Sequence, residues 1–188
     1  MKTFGILCLA GLLLAGCGKK DSDSATPDPN STGDSFIRAT VAGSPAFNAT
    51  GDIGVVNGTR LTSSDPEDAP ARLVLRGIMN QSTNITLTLI KFNGAGTYAL
   101  KADYDATIGT SLASYFEGGL SGPHYFSQYM PNAGTTVGQV VVTSYDAAAK
   151  RIQGTFSFTG STLPPSGQAA TTKQLTNGTF DVHDLIFF

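Results

Sequence analysis

The sequence has no tryptophan, two cysteines, two histidines and two glutamates, and only 14% of its 188 residues are charged. Each scarcity removes a class of function. The formal net charge of −2 offers no basic surface for nucleic acid. Cys8 lies inside an apolar leader, so Cys17 alone remains once that leader is removed. The mature chain then has no internal disulfide and no paired-cysteine metal or redox site. A zinc cage needs three or four ligands, and His124 and His183 are far apart in the sequence. No cofactor is expected. No apolar run reaches the roughly 20 residues of a membrane-spanning helix, and no helical stripe exceeds about two turns.

What is present begins at the N-terminus. Lys2 precedes the run Phe4 to Ala15, interrupted only by Gly5 and Gly11. Twelve helical residues would span about 18 Å, short of a hydrocarbon core of about 30 Å but right for a signal peptide. The run closes in Leu14-Ala15-Gly16-Cys17, which resembles the bacterial lipobox at all four positions. The resemblance implies that residues 1–16 are a cleaved signal peptide and that the Cys17 sulfur carries diacylglycerol. Acylation of the freed amine as well would give the two or more chains that stable anchoring needs.

Residues 17–35 read as the lipidated cysteine and a flexible linker. Gly18 to Ser35 contains no aliphatic side chain larger than alanine and no aromatic, so it cannot bury enough surface to order itself. As a coil its ends would lie about 25 Å apart, or about 60 Å at full stretch. Gly18 and Lys19, with Asp21 and Asp23 close behind, resemble the surface-export signal of Bacteroidota lipoproteins, and the same charges also serve a solvated tether. Asp23-Ser24-Ala25 resembles an O-glycosylation motif of those bacteria, which makes Ser24 a candidate modification site.

From residue 36 to 188 the pattern has period two and predicts a single all-β domain. Ile85, Leu87 and Leu89 alternate with Thr86 and Thr88, and Phe156 and Phe158 with threonines and serine. Further strands are predicted at Ile37 to Val41, Leu73 to Ile78, Thr97 to Lys101, Gln139 to Thr143 and Thr179 to Ile186. Ser144 to Arg151 is read as a hairpin tip, and Asn57-Gly58 and Asn177-Gly178 as turns. Asp105 to Gly119 is ambiguous, with a short helix expected near Leu112 to Phe116. Gly-rich breaks at short spacing predict an antiparallel β-sandwich or meandering β-barrel of about eight to ten strands. A domain of this size buries about 70% of its unfolded surface and needs no staples.

Few residues carry a chemical signal. Asp181-x-His183, with Asp184 adjacent, is the best local acid–base candidate, but no GxSxG elbow supplies a nucleophile. Asp103-x-Asp105 and Asp65-Pro66-Glu67-Asp68 lack the full pattern of a calcium loop. Nothing in the sequence points to a pairing of Glu67 with Glu117 across a cleft, as glycoside cleavage would need. Catalytic residues and metal ligands are therefore not assigned. The densest aromatic stretch, residues 123–130, places Tyr125 and Tyr129 on one face if it is a strand. With Tyr115 they form a candidate ligand platform, since a flat apolar ring with a polar rim suits a sugar.

Four segments in order complete the reading: Val41-x-Gly43-x-x-Phe47-x-Ala49, Gly96-Thr97-Tyr98-x-Leu100, Tyr145-Asp146 through Lys150 to Phe158, and Thr176 to Asp181. Together they resemble a family of uncharacterised Bacteroidota lipoproteins with one β-rich domain after a lipobox. Members often carry tryptophan where Phe47 stands, and the family supplies no catalytic residues. The resemblance implies an outer-membrane lipoprotein, lipid-anchored and exposed at the cell surface, with the periplasmic face as the alternative. The expected role is non-enzymatic, binding or structural, with a glycan, an apolar ligand or a surface protein as partner. A small-ligand carrier and a hydrolase with an unrecognised site are the alternatives.

Overall fold

The computed structural model describes residues 34–51, 56–61, 72–102, 109–163 and 169–187. Cys17, Ser24, Asp65 to Asp68, and Asp103 with Asp105 lie outside them. The described residues belong to one compact unit, Thr32–Phe188.

Twelve strands are found among the described residues: β1 (Phe36–Val41), β2 (Phe47–Thr50), β3 (Val56–Leu61), β4 (Arg72–Met79), β5 (Thr83–Ile90), β6 (Gly96–Lys101), β7 (Leu112–Phe116), β8 (His124–Phe126), β9 (Thr136–Asp146), β10 (Arg151–Ser161), β11 (Thr172–Val182) and β12 (Ile186–Phe187). They form one sheet in the order β12-β3-β4-β5-β7-β8-β10-β11-β1-β2, with β6 and β9 paired to each other and β9 to β10. All pairings between these strands are antiparallel except β12 with β3. The sheet curls into a nearly closed barrel, which decides between the two architectures read from the sequence. Its β1–β2 end folds over β4 at Gly77, where an added Cβ would lie 3.1 Å from the Cβ atoms of both Ile37 and Ala49.

Alternation builds the core. Ile37, Ala39 and Val41 of β1, Leu73 and Leu75 of β4, Ile85, Leu87 and Leu89 of β5, and Phe156 and Phe158 of β10 all join one buried apolar cluster. The interior is occupied by these side chains together with Phe47, Leu175 and Phe180. A buried aliphatic or phenylalanine side chain contributes about 1.5–3 kcal/mol, so this cluster is the main driving force for the fold.

Curvature comes from bulges. Asn177 adopts φ 51° inside β11, and the pairing with both β1 and β10 shifts register there. Asn177-Gly178 is thus a bulge within a strand, not a turn between strands. Asparagine tolerates this left-handed backbone, and Gly178 leaves room for Phe156, whose carbonyl oxygen would lie 2.5 Å from an added Cβ. Asn57-Gly58 likewise lies inside β3 and makes no turn. Between β9 and β10, Asp146 Oδ1 accepts hydrogen bonds from the Ala148 and Ala149 amides at 2.9 Å and shapes the hairpin tip.

Two other expectations are corrected. Leu112–Phe116 is strand β7 rather than a helix, because β5 and β8 pair with its two edges. The order of the fold also begins before Phe36. Ser35 accepts hydrogen bonds from the Gly51 amide at its carbonyl and from the His183 amide at its hydroxyl.

Between β7 and β10 the barrel wall forks. Short β8 fills one branch and the β6–β9 pair the other. A one-turn 3-10 helix, Ser127–Tyr129, sits at the fork. Its Ser127 side chain is fully buried and accepts the Ala113 amide at 3.0 Å.

Candidate functional site

The β7–β8 connection is built on glycine. Gly118 and Gly119 both have positive φ, 78° and 79°. Gly122 passes so close to Glu117 that an added Cβ would lie 1.7 Å from its carbonyl oxygen. The Glu117 amide donates to the Pro123 carbonyl at 3.1 Å and closes the loop. This stiff turn presents Gly119 O to His124 Nε2 at 3.0 Å. A carbonyl only accepts, so Nε2 carries the proton in this contact and Nδ1 is left as the acceptor in the neutral ring.

The outward side chains of β7 and β8 then assemble an aromatic wall. The His124 ring stacks on Phe116 at 3.9 Å with an interplanar angle of 10°. Phe126 meets Phe116 edge-on at 5.4 Å and Tyr129 at 4.9 Å. A surface cleft of about 400 Å³ opens against this wall, lined by Pro123, His124, Phe126, Tyr129, Thr162 and Leu163 together with Gly122.

The predicted tyrosine platform takes a different form. Tyr115 and Tyr125 are buried, 2% and 6% exposed, and stack on each other inside the barrel at 6.1 Å. Only Tyr129 reaches the surface, at 36% exposure. The 3-10 turn breaks the strand alternation after Phe126, so Tyr129 joins His124 and Phe126 rather than Tyr125.

Two polar clusters occupy other parts of the barrel. Lys173 of β11 donates to Ser44 Oγ at 2.8 Å and to Glu117 Oε2 at 3.0 Å, and Ser44 Oγ also bonds Glu117 Oε1. The Ser44 hydrogen bond, with the Lys173 contact, holds the Glu117 carboxyl below its usual range despite partial burial. Tyr115 is close enough to feel both Ser44 and the Glu117 charge. The cluster ties the β1–β2 turn to β7 and β11.

The second cluster contains the predicted acid–base pair. His183 Nε2 lies 3.0 Å from Asp181 Oδ1, but it is buried and has no aligned hydrogen bond. Asp181 is instead held by Arg151 and by Gln153 Nε2 at 2.9 Å. The nearby Ser35 hydroxyl is engaged by the His183 backbone amide. Asp181 and His183 are thus brought together without a nucleophile aligned on the imidazole.

A model for a domain of unknown function (DUF6252) matches residues 43–182. The chain belongs to the DUF6252 family. The matched span runs from the β1–β2 turn to the last residue of β11, so the DUF6252 domain takes in nearly the whole barrel. No curated protein and no solved structure matches the chain significantly.

Two further surface clefts lie on the DUF6252 domain. The larger, about 500 Å³, runs over the β11 bulge and is lined mainly by hydroxyl and amide side chains, with Phe156 buried at 3% exposure. The other, about 360 Å³, lies along β6 beside Lys91 and Lys101. Of these three clefts among the described residues, the one at β8 joins exposed apolar groups to a fixed aromatic wall. Sequence reading found its aromatic density but not Phe116, Thr162 and Leu163. Their only signal was the outward phase of β7 and the end of β10, visible once the strand pairing is known.

Proposed function

We propose that the protein is an acylated outer-membrane lipoprotein whose β-barrel acts, without catalysis, as a binding or structural module at the cell surface. The observation that carries this reading is the lipobox-like Leu14-Ala15-Gly16-Cys17 at the end of a short apolar run. The polar linker after Cys17 would hold the barrel off the bilayer, and its early lysines and aspartates favour the outer face. The likeness to Bacteroidota lipoproteins points the same way. The non-enzymatic part is supported by how the carboxylates are used: Asp181 is saturated by Arg151 and Gln153, and Glu117 by Ser44 and Lys173. A ligand held inside the barrel is disfavoured because apolar side chains occupy the interior, so binding is assigned to the surface.

Metabolic labelling with an alkyne fatty acid in a Gram-negative host tests the anchor. The wild-type chain is expected to take up label and fractionate with outer membrane, and Cys17→Ser to lose both. Protease added to intact cells should degrade the barrel. Protection until the envelope is opened would assign the periplasmic face, and labelling that survives Cys17→Ser would overturn the anchor.

A further inference from the structure

We infer that the cleft between β8 and the end of β10 is a binding site for a neutral sugar ring. This deepens the binding reading above but does not depend on the lipid anchor. Three large hydrophobic side chains stand out as exposed among the described residues, and two of them, Tyr129 at 36% and Leu163 at 71%, line this one cleft. Exposed apolar groups gathered at one concave place mark a contact surface, whereas scattered ones carry no message.

The wall is preorganised. The Phe116 stack and the Gly119 carbonyl fix the His124 ring from two sides, and Phe126 is wedged between Phe116 and Tyr129. The strand pairs Phe116 with His124 and Phe126 with Ser161 bring the three segments together. A ligand meeting these rings therefore orders little protein on binding.

The chemistry of the lining narrows the ligand. Among the described residues, no lysine, arginine, aspartate or glutamate lines the cleft, so it offers a ligand no permanently charged side chain. The rim offers hydrogen-bonding groups: the Tyr129 hydroxyl, the Thr162 hydroxyl and, in neutral His124, the Nδ1 acceptor. A neutral pyranose matches this set. One C–H face is apolar enough to lie on an aromatic ring, and its edge hydroxyls donate and accept. Thr162 Oγ1 accepts the Thr171 amide at 3.1 Å and contacts the Thr171 hydroxyl at 3.3 Å, which fixes its position on the rim.

The full-length chain, purified in a detergent without a sugar headgroup, is titrated by calorimetry and ligand-observed NMR. The probes are neutral hexose, deoxyhexose and N-acetylhexosamine oligosaccharides, alongside uronic-acid and sulfated ones. Binding is expected for a neutral probe. Tyr129→Ala should weaken it about tenfold, the scale of one lost aromatic contact. Tyr129→Phe should retain most of it, and Thr155→Ala, in the other cleft, all of it. His124→Phe keeps the stack on Phe116 and should lose affinity for want of the acceptor. Tyr129→Phe keeps the ring against Phe126 and should melt like wild type, and a thermal melt of Tyr129→Ala separates a loss of binding at the cleft from a loss of folding. Binding of charged probes alone, neutral binding insensitive to Tyr129→Ala, or no binding at millimolar probe would each overturn the inference. Sugar binding by a protein that fails the Cys17 labelling test would leave this site standing and sink the anchor alone.

Discussion

Arg151 grips Asp181 through two parallel hydrogen bonds, Nε to Oδ1 at 2.9 Å and Nη2 to Oδ2 at 2.6 Å. The pair joins the start of β10 to the end of β11, and Asp181 is only 3% exposed. Burial by itself would raise the carboxyl's pKa. The hydrogen bonds from Arg151 and Gln153, with the charges of Arg151 and His183, more than reverse this and hold it below the usual range. Asp181→Ala leaves a mostly buried guanidinium without this carboxylate and should cost about 3–5 kcal/mol in urea unfolding. A lowered folded-state pKa stabilises above the unfolded value of about 4, and that part is lost as pH falls through the folded value. The acid limb of the stability profile should therefore be shallower in Asp181→Asn than in wild type. Equal limbs would mean that Asp181 is not the group responsible.

Tyr115 provides a test at the opposite end of the pH scale. Burial first, then the charge of Glu117 and the neighbouring Tyr125, push its hydroxyl up to about 12, while the Ser44 hydrogen bond works against them. Stability from the neutral phenol is complete below about pH 10 and is lost as pH rises through about 12. NMR of tyrosine-labelled protein should show one resonance, assigned by Tyr115→Phe, titrating at about 12. Glu117→Gln should lower that value without restoring 10, because burial remains. An ordinary titration of Tyr115 would show that its hydroxyl is not buried in solution.

Ser127 tests the fork in the wall. Its hydroxyl is the partner of the buried Ala113 amide. Ser127→Ala removes one oxygen and leaves that donor unsatisfied, at a cost of about 1–3 kcal/mol in chemical denaturation. Hydrogen exchange should quicken at the Ala113 amide more than in β4 or β11. Uniform exchange across the barrel would show that the 3-10 turn does not support the fork.

The strands legible in advance are those whose register is carried by their own residues. Ile85, Leu87 and Leu89 alternate with threonines, and this local period of two already states which face is buried. β1, β4, β5, β6 and β10 are readable for that reason, β9 from its β-branched run without a clear inward face, and the tip after Asp146 from its polar residues. β2, β3 and β8 are short or lack alternation, and neighbours supply their edges.

The amino-acid sequence by itself determined the all-β class, the main core faces and the residues on which a lipid anchor is proposed, because alternation and short motifs are local properties. Tertiary structure decided what depends on partners distant in the chain. Asn177-Gly178 suits a turn or a bulge equally, and β1 and β10 on either side of β11 make it a bulge. Tyr125 and Tyr129 share a face only in an unbroken strand, and the one-turn helix that seals the fork separates them. The cleft itself joins β8 to the end of β10 through a single pair, Ser161 with Phe126. No local pattern encodes that pairing, since it depends on barrel closure bringing together segments 35 residues apart.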